Sequence, residues 1–573
     1  MKQYLIVGSD TETYHGKPFT VQFSHSKGTS KECFFTDEKK ITRVFLKYFE
    51  HLLSDVTDND IICFVHNLEY DIVGFFYQLR SFLLQKKFTF SIGDGWNVEG
   101  VFSSVVFARM RYGQRTVHLI DTYAFFKTSL EKLAEIHCPD LPKKEFPQGL
   151  GETLFTAENK DFVEYATRDA VIAEYVGAYI IEQHKKYDID LTVSTPHFAS
   201  KVFRRKFLKE SIPLPPKSAV YSALHSYHGG KNNCTVGMGF YPNVYSLDLV
   251  SAYPDAMRKL PSFSRKELYK KIIVNDVSGI SQVPEHGIYR ISGHTEVCEW
   301  PIIYDHNFKP IRGAVEKIWT TGPELNEALR AGELKLTELE GIYYDSDLDT
   351  TESPFVEYVD EFFTLKDNAK TKAERDFAKL LLNSLYGKFI QTTRDVENAD
   401  ILSADVDNVV AKRTGERTAG GLFNPFIATL ITGYTRANIH FYEHKYKALH
   451  TATDGIFSFK RPLKDNLELG GLKTEFKGDL LLFRNKLYIF YVSRKDVLPH
   501  QRAVKSAVFK DKMIVKYALH GFHGKLYDLE KMYVTGRRDY TYTHVNKLRE
   551  SSKRGLEVNK FEKRTSTLNL NEE

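Results

Sequence analysis

A helix written over Arg375–Phe389 has two opposed faces, and a chain that carries it must satisfy both. At helical period Arg375, Lys379, Asn383 and Tyr386 share one side, and Ala378, Leu381, Leu382, Leu385 and Phe389 share another. The apolar side needs a core to pack on, while the polar side stays available. Two cations, a carboxamide and a phenol at three- and four-residue spacing suit a triphosphate, a base and a sugar. Gly387 is expected to end the helix. Leucine spacing by itself fits any amphipathic helix, so this reading depends on what the rest of the chain supplies.

A chain of 573 residues calls for several domains around more than one core. Its hydrophobic (42%) and charged (27%) shares are those of a soluble globular protein. A net charge of +5 permits a polyanionic partner without requiring one. Basic residues are dense in Lys531–Arg538 and Lys547–Arg564. The 33 Tyr and 41 Phe suit base stacking as well as ordinary core. Five scattered cysteines (Cys33, Cys63, Cys138, Cys234, Cys298) include no CxxC pair. Neither a zinc site nor a disulfide framework is therefore expected, and a reducing cytosol is the expected setting. The apolar run at the start is too short for a signal peptide or a membrane span. A soluble intracellular protein with no membrane partner is expected.

No internal repeat or low-complexity tract is evident. Tyr4–Val7, Ile61–Val65 and Thr116–Ile120 read as strands and Asp161–Lys185 as a helix, an α/β unit ending near residue 188. Thr195-Pro196 and Pro213–Pro216 punctuate the next stretch of chain, and Val244–Leu249 reads as a strand. Residues 260–353, rich in Pro, Gly and aromatics, read as an inserted subdomain. Phe355–Ile390 reads as two helices with a polar turn. Thr392–Gly421 reads as a polar, irregular insertion. Strands return near Asp454 and Lys486, before a basic terminal unit.

Carboxylates fall into two sets. Asp10 and Glu12 follow an apolar strand and alternate onto one face; Asp71 follows a second strand; Tyr165 and Asp169 share a helix face. Four converging carboxylates repel one another unless divalent cations sit between them. Two such cations activate a water against a phosphodiester, with Tyr165 placed to orient that water. A lone DxE is weak; the ordered set of DxE, HNxxYD (His66–Asp71) and YxxxD is strong. The second set is Asp248, on a strand running into a turn expected to be fixed by Pro254, and Asp454, in a hairpin turn whose dihedrals Gly455 is expected to permit. Two carboxylates can hold the cations for attack of a 3′-hydroxyl on an α-phosphate.

On these residues the chain resembles a family B DNA polymerase, and more narrowly the protein-primed branch of phi-29-type bacteriophages. The resemblance runs over nearly the whole chain. It implies a multidomain α/β and α+β architecture: an RNase H-like 3′–5′ exonuclease domain (1–188) and a right-hand polymerase domain. The latter divides into palm (189–259 and 422–530), fingers (354–391) and thumb (531–573), with insertions at 260–353 and 392–421. Asp10, Glu12, Asp71, Tyr165 and Asp169 match the exonuclease motifs, and Thr13, Asn67 and Tyr70 match positions that contact a single-stranded primer end. Lys143 or Lys144 matches an auxiliary exonuclease lysine. Asp248 and Tyr253 match motif A, Lys379, Asn383, Tyr386 and Gly387 motif B, and Asp454 the second aspartate of motif C. Tyr227-His228-Gly229-Gly230 matches the YxGG link that holds template, and Lys486 and Tyr488 the KxY motif that grips the primer.

Three departures stand out. Motif C reads Ala452-Thr453-Asp454-Gly455 where Asp-Thr-Asp-Ser is usual, so altered metal affinity or processivity is expected, with the carbonyl of Leu249 completing the metal shell. Arg375 stands where lysine is common, and Asp367, beside Lys366, stands near the place of a further fingers lysine. The resemblance implies Mg²⁺ (or Mn²⁺) at both sites, dNTPs, primer-template and single-stranded DNA, a terminal protein docking on the first insertion, and a monomer working in the cytoplasm of a host cell. The second insertion would encircle DNA, and Lys531, Arg537, Arg538 and Lys547 of the thumb would bind duplex backbone. The chain length is below that of the large nucleic-acid-primed enzymes. A compact nucleic-acid-primed polymerase, or a degenerate nucleic-acid-binding protein lacking synthesis, are the other readings.

Overall fold

A computed structural model of the chain describes residues 4–55, 60–84, 87–103, 105–146, 155–296, 298–394, 399–405, 408–413, 417–498, 503–522, 524–545 and 563–570. The first unit is built on an eight-stranded sheet. Its order is Ser30–Phe35, Lys17–His25, Tyr4–Tyr14, Asp60–Val65, Arg115–Asp121, Val106–Tyr112, Trp96–Phe102, Lys87–Ile92. Asp60–Val65 runs parallel to both neighbours, and every residue from Ile61 to Val65 is fully buried. An unbroken apolar run is what a central strand covered on both faces requires.

The strand from Tyr4 does not stop at Val7. It continues to Tyr14 as one arm of a hairpin with Lys17–His25, so Asp10 and Glu12 lie within the strand rather than after it. The meander Lys87–Tyr112 was not expected from sequence, although Lys87–Ile92 and Val106–Tyr112 alternate more and less buried residues as strands do.

The helix Lys160–Lys186 crosses this sheet at very close range. A Cβ on Gly8 would lie 1.9 Å from the Ala170 carbonyl oxygen, and one on Gly177 would lie 2.1 Å from the Phe64 ring. Glycine at both places lets the helix backbone rest on the strands. That contact sets the height of Tyr165 and Asp169 above Asp10 and Glu12.

The second eight-stranded sheet is antiparallel throughout. Its order is Val504–Lys505, Lys512–Leu519, Leu487–Ser493, Leu472–Arg484, Gly239–Leu249, Gly455–Ser458, His450–Thr453, Lys231–Cys234. Residues 260–353 contain a sheet of their own, Tyr269–Val274, Leu334–Tyr344, Gly287–Thr295 and Gly313–Thr321, with the helix Gly322–Arg330. Helices Pro354–Asp367 and Lys372–Ser384 pack together, and the Tyr358 hydroxyl donates to the Leu381 carbonyl at 2.8 Å.

The segment 392–421 was expected to be irregular. It instead forms two antiparallel ribbons, Thr392–Arg394 with Arg417–Ala419 and Ala399–Asp405 with Asn408–Arg413. The expected start of a last unit at residue 531 falls inside the helix Leu526–Thr535, whose Leu529 and Met532 share a core with Leu481 and Leu487 of the second sheet.

One continuous core runs from Ile62 and Phe64 of the first sheet, through Phe355, Phe377 and Leu382, to the helix Pro425–Tyr446. That helix is buried on almost all sides, including its Thr429, Thr432, Arg436, His440 and Glu443. No helix among the described residues is long and apolar enough to cross a membrane. Because the Gly8 contact is with backbone that cannot rotate away, Gly8→Ala is expected to destabilise the first unit by about 1–3 kcal/mol. A lowered midpoint for its transition in chemical denaturation checks this.

Candidate active sites

The first cluster forms where strand, helix and helix meet. Asp71 sits in the first turn of the helix Leu68–Phe75, entered through Asn67 in the left-handed region (φ 68°). The Asn67 N–H donates to Asp121 at 2.8 Å, and Asp121 also accepts from the Tyr123 N–H at 2.8 Å. Burial raises Asp121 to about 6. Asp121 was missed from sequence, since it ends an ordinary strand, yet it fixes the bend that delivers Asp71.

The Asp71 carboxylate accepts from the Thr11 N–H at 2.9 Å and the Thr11 hydroxyl at 2.7 Å, which locks the helix to the strand carrying Asp10 and Glu12. From the long helix, Tyr165 bonds to Glu12, and Asp169 meets the Lys143 ammonium at 2.5 Å. Lys144 pairs instead with Glu164 at 2.7 Å, so of the two lysines Lys143 belongs to the cluster. Thr13 and Tyr70 are exposed near the carboxylates, and Asn67 is half-buried.

The four carboxylates feel one another. Burial, then Asp71, Asp169 and Glu12, hold the Asp10 carboxyl far above its usual range. Burial and the charges of Asp169 and Asp71 raise Glu12 to about 7. Burial raises Asp71 to about 7 against the two Thr11 bonds. Asp169 is raised by burial against the pull of Lys143, and its Oδ1 is buried with no hydrogen-bond partner among the described residues. An all-oxygen set with mutual repulsion and a spare buried acceptor fits hard divalent cations.

The second cluster lies at the end of interior strands of the antiparallel sheet. Asp248 pairs in register with Gly455, and the Leu249 N–H donates to the Asp454 carbonyl at 2.8 Å. The left-handed residue of this hairpin is Thr453 (φ 62°), not Gly455. Gly455 has another use: a Cβ there would stand 3.2 Å from the Leu247 carbonyl and 3.7 Å from Asp248. Likewise, the sharp bend after Asp248 comes from Ser251 (φ 53°), while Pro254 is buried within the helix Ala252–Arg258. Residue types permit such turns without saying which residue takes the strained dihedral.

Burial, then Glu475, raises Asp248 to about 6, with Lys473 opposing and Asp454 adding. Asp454 is raised by burial. Lys473 reaches Asp248 at 3.2 Å. Glu475 accepts from Ser246 at 2.8 Å and pairs with Lys516 at 2.6 Å, so a third carboxylate and two lysines stand beside the two aspartates. None of these three was signalled by spacing, because they come from strands far along the chain.

The ring of Tyr253 stacks on that of Tyr386 at 4.1 Å and 2°. Burial, Tyr386 and the nearby Asp454 all push the Tyr253 phenol up. The helix Lys372–Ser384 does not end at Gly387 but tightens into a 3₁₀ turn over Tyr386–Phe389. Arg375, Lys379 and Asn383 are exposed on it, as expected of the polar stripe. Lys379 and Asn383 line a cleft of about 410 Å³ with Phe126, Lys127 and Lys132 of the first unit. Lys366, mostly buried, has its ammonium 3.6 Å from the Phe363 ring centre and is lowered by burial and by the charges of Arg375 and Lys473. Lys366, Arg375 and Lys473 thus share one cationic neighbourhood.

Tyr227 follows the helix Lys217–Ser226, and the glycines after it differ in use. A Cβ on Gly230 would meet the Thr453 side chain at 2.5 Å, whereas Gly229 is open. Arg436, fully buried, donates to the carbonyls of His228 (2.7 Å) and Gly229 (2.9 Å) and pairs with Glu324 through Nε and Nη2 at 2.6 and 2.9 Å. Lys486 takes a left-handed turn (φ 57°) beside a cleft of about 390 Å³. Tyr488, only 4% exposed, packs its ring on His450 and Phe457 behind the hairpin of Asp454 rather than presenting a surface. In the last unit Arg537 lies 3.6 Å from Asp539, Arg538 contacts Met238, and Lys531 lies over the Tyr527 ring; Lys547 falls outside the described residues.

Removing Glu324 would leave a buried guanidinium unpaired. Glu324→Ala is expected to cost about 3–5 kcal/mol, and thermal unfolding of the purified variant measures it.

Residues 152–454 match the family described as DNA polymerase type B, organellar and viral. A "Probable DNA polymerase" of Neurospora intermedia is 26% identical over 401 residues, 59% of this chain and 40% of that protein. A "DNA polymerase" of Acidianus bottle-shaped virus (isolate Italy/Pozzuoli) is 23% identical over 411 residues, 67% of this chain and 59% of that protein. The chain thus matches less than two thirds of either relative's length. Phi29 DNA polymerase in its orthorhombic crystal form shares the fold with a TM-score of 0.67 at 16% identity, over 99% of this chain and 100% of that one. The same enzyme complexed with primer-template DNA and incoming nucleotides gives 0.65 at 15% identity, over 95% and 96%. With a family match over more than half its length, the chain belongs to the type B DNA polymerases of the organellar and viral group.

Proposed function

We propose that the chain is a template-directed DNA polymerase with a 3′–5′ proofreading exonuclease, primed by a protein and active in strand displacement on a viral or linear-plasmid genome. The observation that carries synthesis is the meeting of Asp248, Asp454, Tyr253 and Tyr386, which come from distant parts of the sequence and are adjacent in space.

In this reading Asp248 and Asp454 hold Mg²⁺, with Leu249 beside them. Asp10, Glu12, Asp71 and Asp169 hold it in the first unit. Bound divalent ions would lower the pKa of the attacking oxygen and stabilise charge on the leaving one. The protein's own groups do the rest. Arg375, Lys379, Lys366 and Lys473 attract the triphosphate. The stacked pair Tyr253–Tyr386 gives a flat, stiff floor against which a nascent base pair and its sugar are gauged. Asn383 adds a carboxamide from the same helix. Glu475 brings a further carboxylate to a site whose hairpin carries Ala452 in place of an aspartate. In the first unit Tyr165 and Lys143 orient and stabilise the attacking water, while Thr13, Asn67 and Tyr70 hold a frayed primer end.

The units are assigned accordingly: exonuclease at 1–188, palm around the antiparallel sheet, fingers at 354–391, and a thumb from the helix Leu526–Thr535 onward. The separate sheet of 260–353 is the docking surface for a terminal protein. The ribbons of 392–421 reach over DNA, and the YxGG turn and Lys486 contact template and primer.

Asp454→Ala should reduce nucleotide addition on the order of a hundred- to a thousandfold or more, as when a group that stabilises transition-state charge is lost, while leaving exonuclease intact. Asp10→Ala should do the reverse, and EDTA should stop both. Primer extension on a circular single-stranded template is the deciding assay: products many times the circle length establish synthesis with displacement, and no extension by the intact protein refutes the reading. For priming, incubation with a candidate terminal protein and labelled dNTP should attach label covalently to protein. Label found only on nucleic acid would point to a nucleic-acid primer.

A further inference from the structure

Away from both carboxylate clusters, three metal-ligating side chains converge between the 260–353 segment and the helix Pro425–Tyr446. His440 and His444 are one helical turn apart, with ring centres 4.4 Å apart. Both face Glu333, in the turn after the helix Gly322–Arg330. His440 Nε2 lies 3.0 Å and His444 Nε2 2.7 Å from Glu333 Oε1, and the three donor atoms lie within 4.8 Å of one another. Glu333 and His440 are buried.

Two further observations separate this group from a simple ion-pair cluster. The other nitrogen of His440, Nδ1, stands 2.8 Å from Glu327, whose carboxylate is itself clamped by Arg330 at 2.6 Å through two nitrogens. A ligating imidazole whose far N–H is held by an anchored carboxylate is the usual outer arrangement of a metal-bound histidine. A protonated His440 between two carboxylates would account for that residue alone. His444 Nε2 crowds the same Glu333 oxygen at 2.7 Å, close enough for an ion pair yet buried and not aligned as a hydrogen bond. In addition, the half-buried Cys298 thiol contacts the Glu333 carboxylate from the opposite chain segment.

We propose that Glu333, His440, His444 and Cys298 bind one divalent transition-metal ion of the zinc type. Two imidazoles, a carboxylate and a thiolate form a four-coordinate set that favours zinc over Mg²⁺. Ligand atoms about 2.0–2.3 Å from such an ion stand roughly 3.3–3.7 Å apart; Glu333 and the two histidines already lie within 4.8 Å of one another, and the Cys298 thiol, outside that group, turns in from its contact with Glu333 to complete the set. The four ligands are all protein groups, so the site is closed and structural. It staples the inserted sheet to the helix that also carries Arg436 and Glu443. Glu443 in turn pairs with the buried Lys231 and accepts from Thr451 at 2.5 Å, which links the staple to the hairpin bearing Asp454. The absence of any CxxC hid this site from the sequence, because its ligands come from three separate segments.

The test uses the full-length protein. Cobalt(II) exchanged into it is expected to give the intense visible bands of four-coordinate cobalt and a near-ultraviolet thiolate charge-transfer band. The catalytic carboxylate sites, having no sulfur, cannot produce the latter. His444→Ala removes a partly exposed ligand with little packing loss and is expected to abolish both features. Cys298→Ser is expected to abolish the charge-transfer band. Elemental analysis of the dialysed wild type is expected to show a tightly held zinc that His444→Ala loses, with primer extension remaining as a check that the variant is folded. No cobalt bands in the wild type, or bands of equal strength in His444→Ala, would overturn the site. A charge-transfer band surviving Cys298→Ser would overturn the fourth ligand.

Discussion

The Arg436 guanidinium is the interaction on which most of the structure depends. It is fully buried, and it is tolerable there only because every direction it faces offers an acceptor: the Glu324 carboxylate on one side and the carbonyls of His228 and Gly229 on the other. Those acceptors belong to the inserted segment and to the turn after the helix Lys217–Ser226. One charge, mounted on the central helix Pro425–Tyr446, therefore fixes the position of two otherwise separate pieces of chain. Gly433, one turn earlier, makes the approach feasible, since a Cβ there would collide with Thr321 at 2.3 Å.

From that anchor the second site is assembled by contact. The carbonyls held by Arg436 place Gly230 against Thr453, and Thr453 takes the left-handed dihedral that turns the hairpin at Asp454. Gly455 then lies flat against the strand of Asp248, so two carboxylates are brought together by backbone register rather than by attraction. The same economy of side chain serves the first site, where Gly8 and Gly177 let a helix settle onto strands and bring Asp169 to Asp10. In both, charges that repel are held by apolar burial and close backbone packing, which leaves them strained toward a divalent cation.

How much of this was legible in sequence differs from residue to residue. The polar stripe of Arg375, Lys379 and Asn383 was legible because helical period is local, and those residues are exposed as expected. Lys473, Glu475 and Lys516 were not, because each is a common charged residue whose meaning depends on which strand lies beside it. The choice between Lys143 and Lys144 could not be made from neighbours in sequence; a difference of one residue sends one ammonium to Asp169 and the other to Glu164. The expected irregularity of 392–421 also failed, since the sequence of these ribbons lacks the strict apolar alternation by which strands are recognised.

The sequence by itself determined the identity and order of the carboxylates, the amphipathic helix beside them, and the fully apolar strand Asp60–Val65 at the centre of the first sheet. These are properties of short stretches, set by period and residue type. Only the tertiary structure decided that Tyr253 lies flat on Tyr386, that Tyr488 turns inward, and that Cys298 meets Glu333 beside two histidines of a distant helix. The reason is physical: contacts between remote segments are set by how helices and sheets pack, and packing is a property of the whole core, not of any window within it.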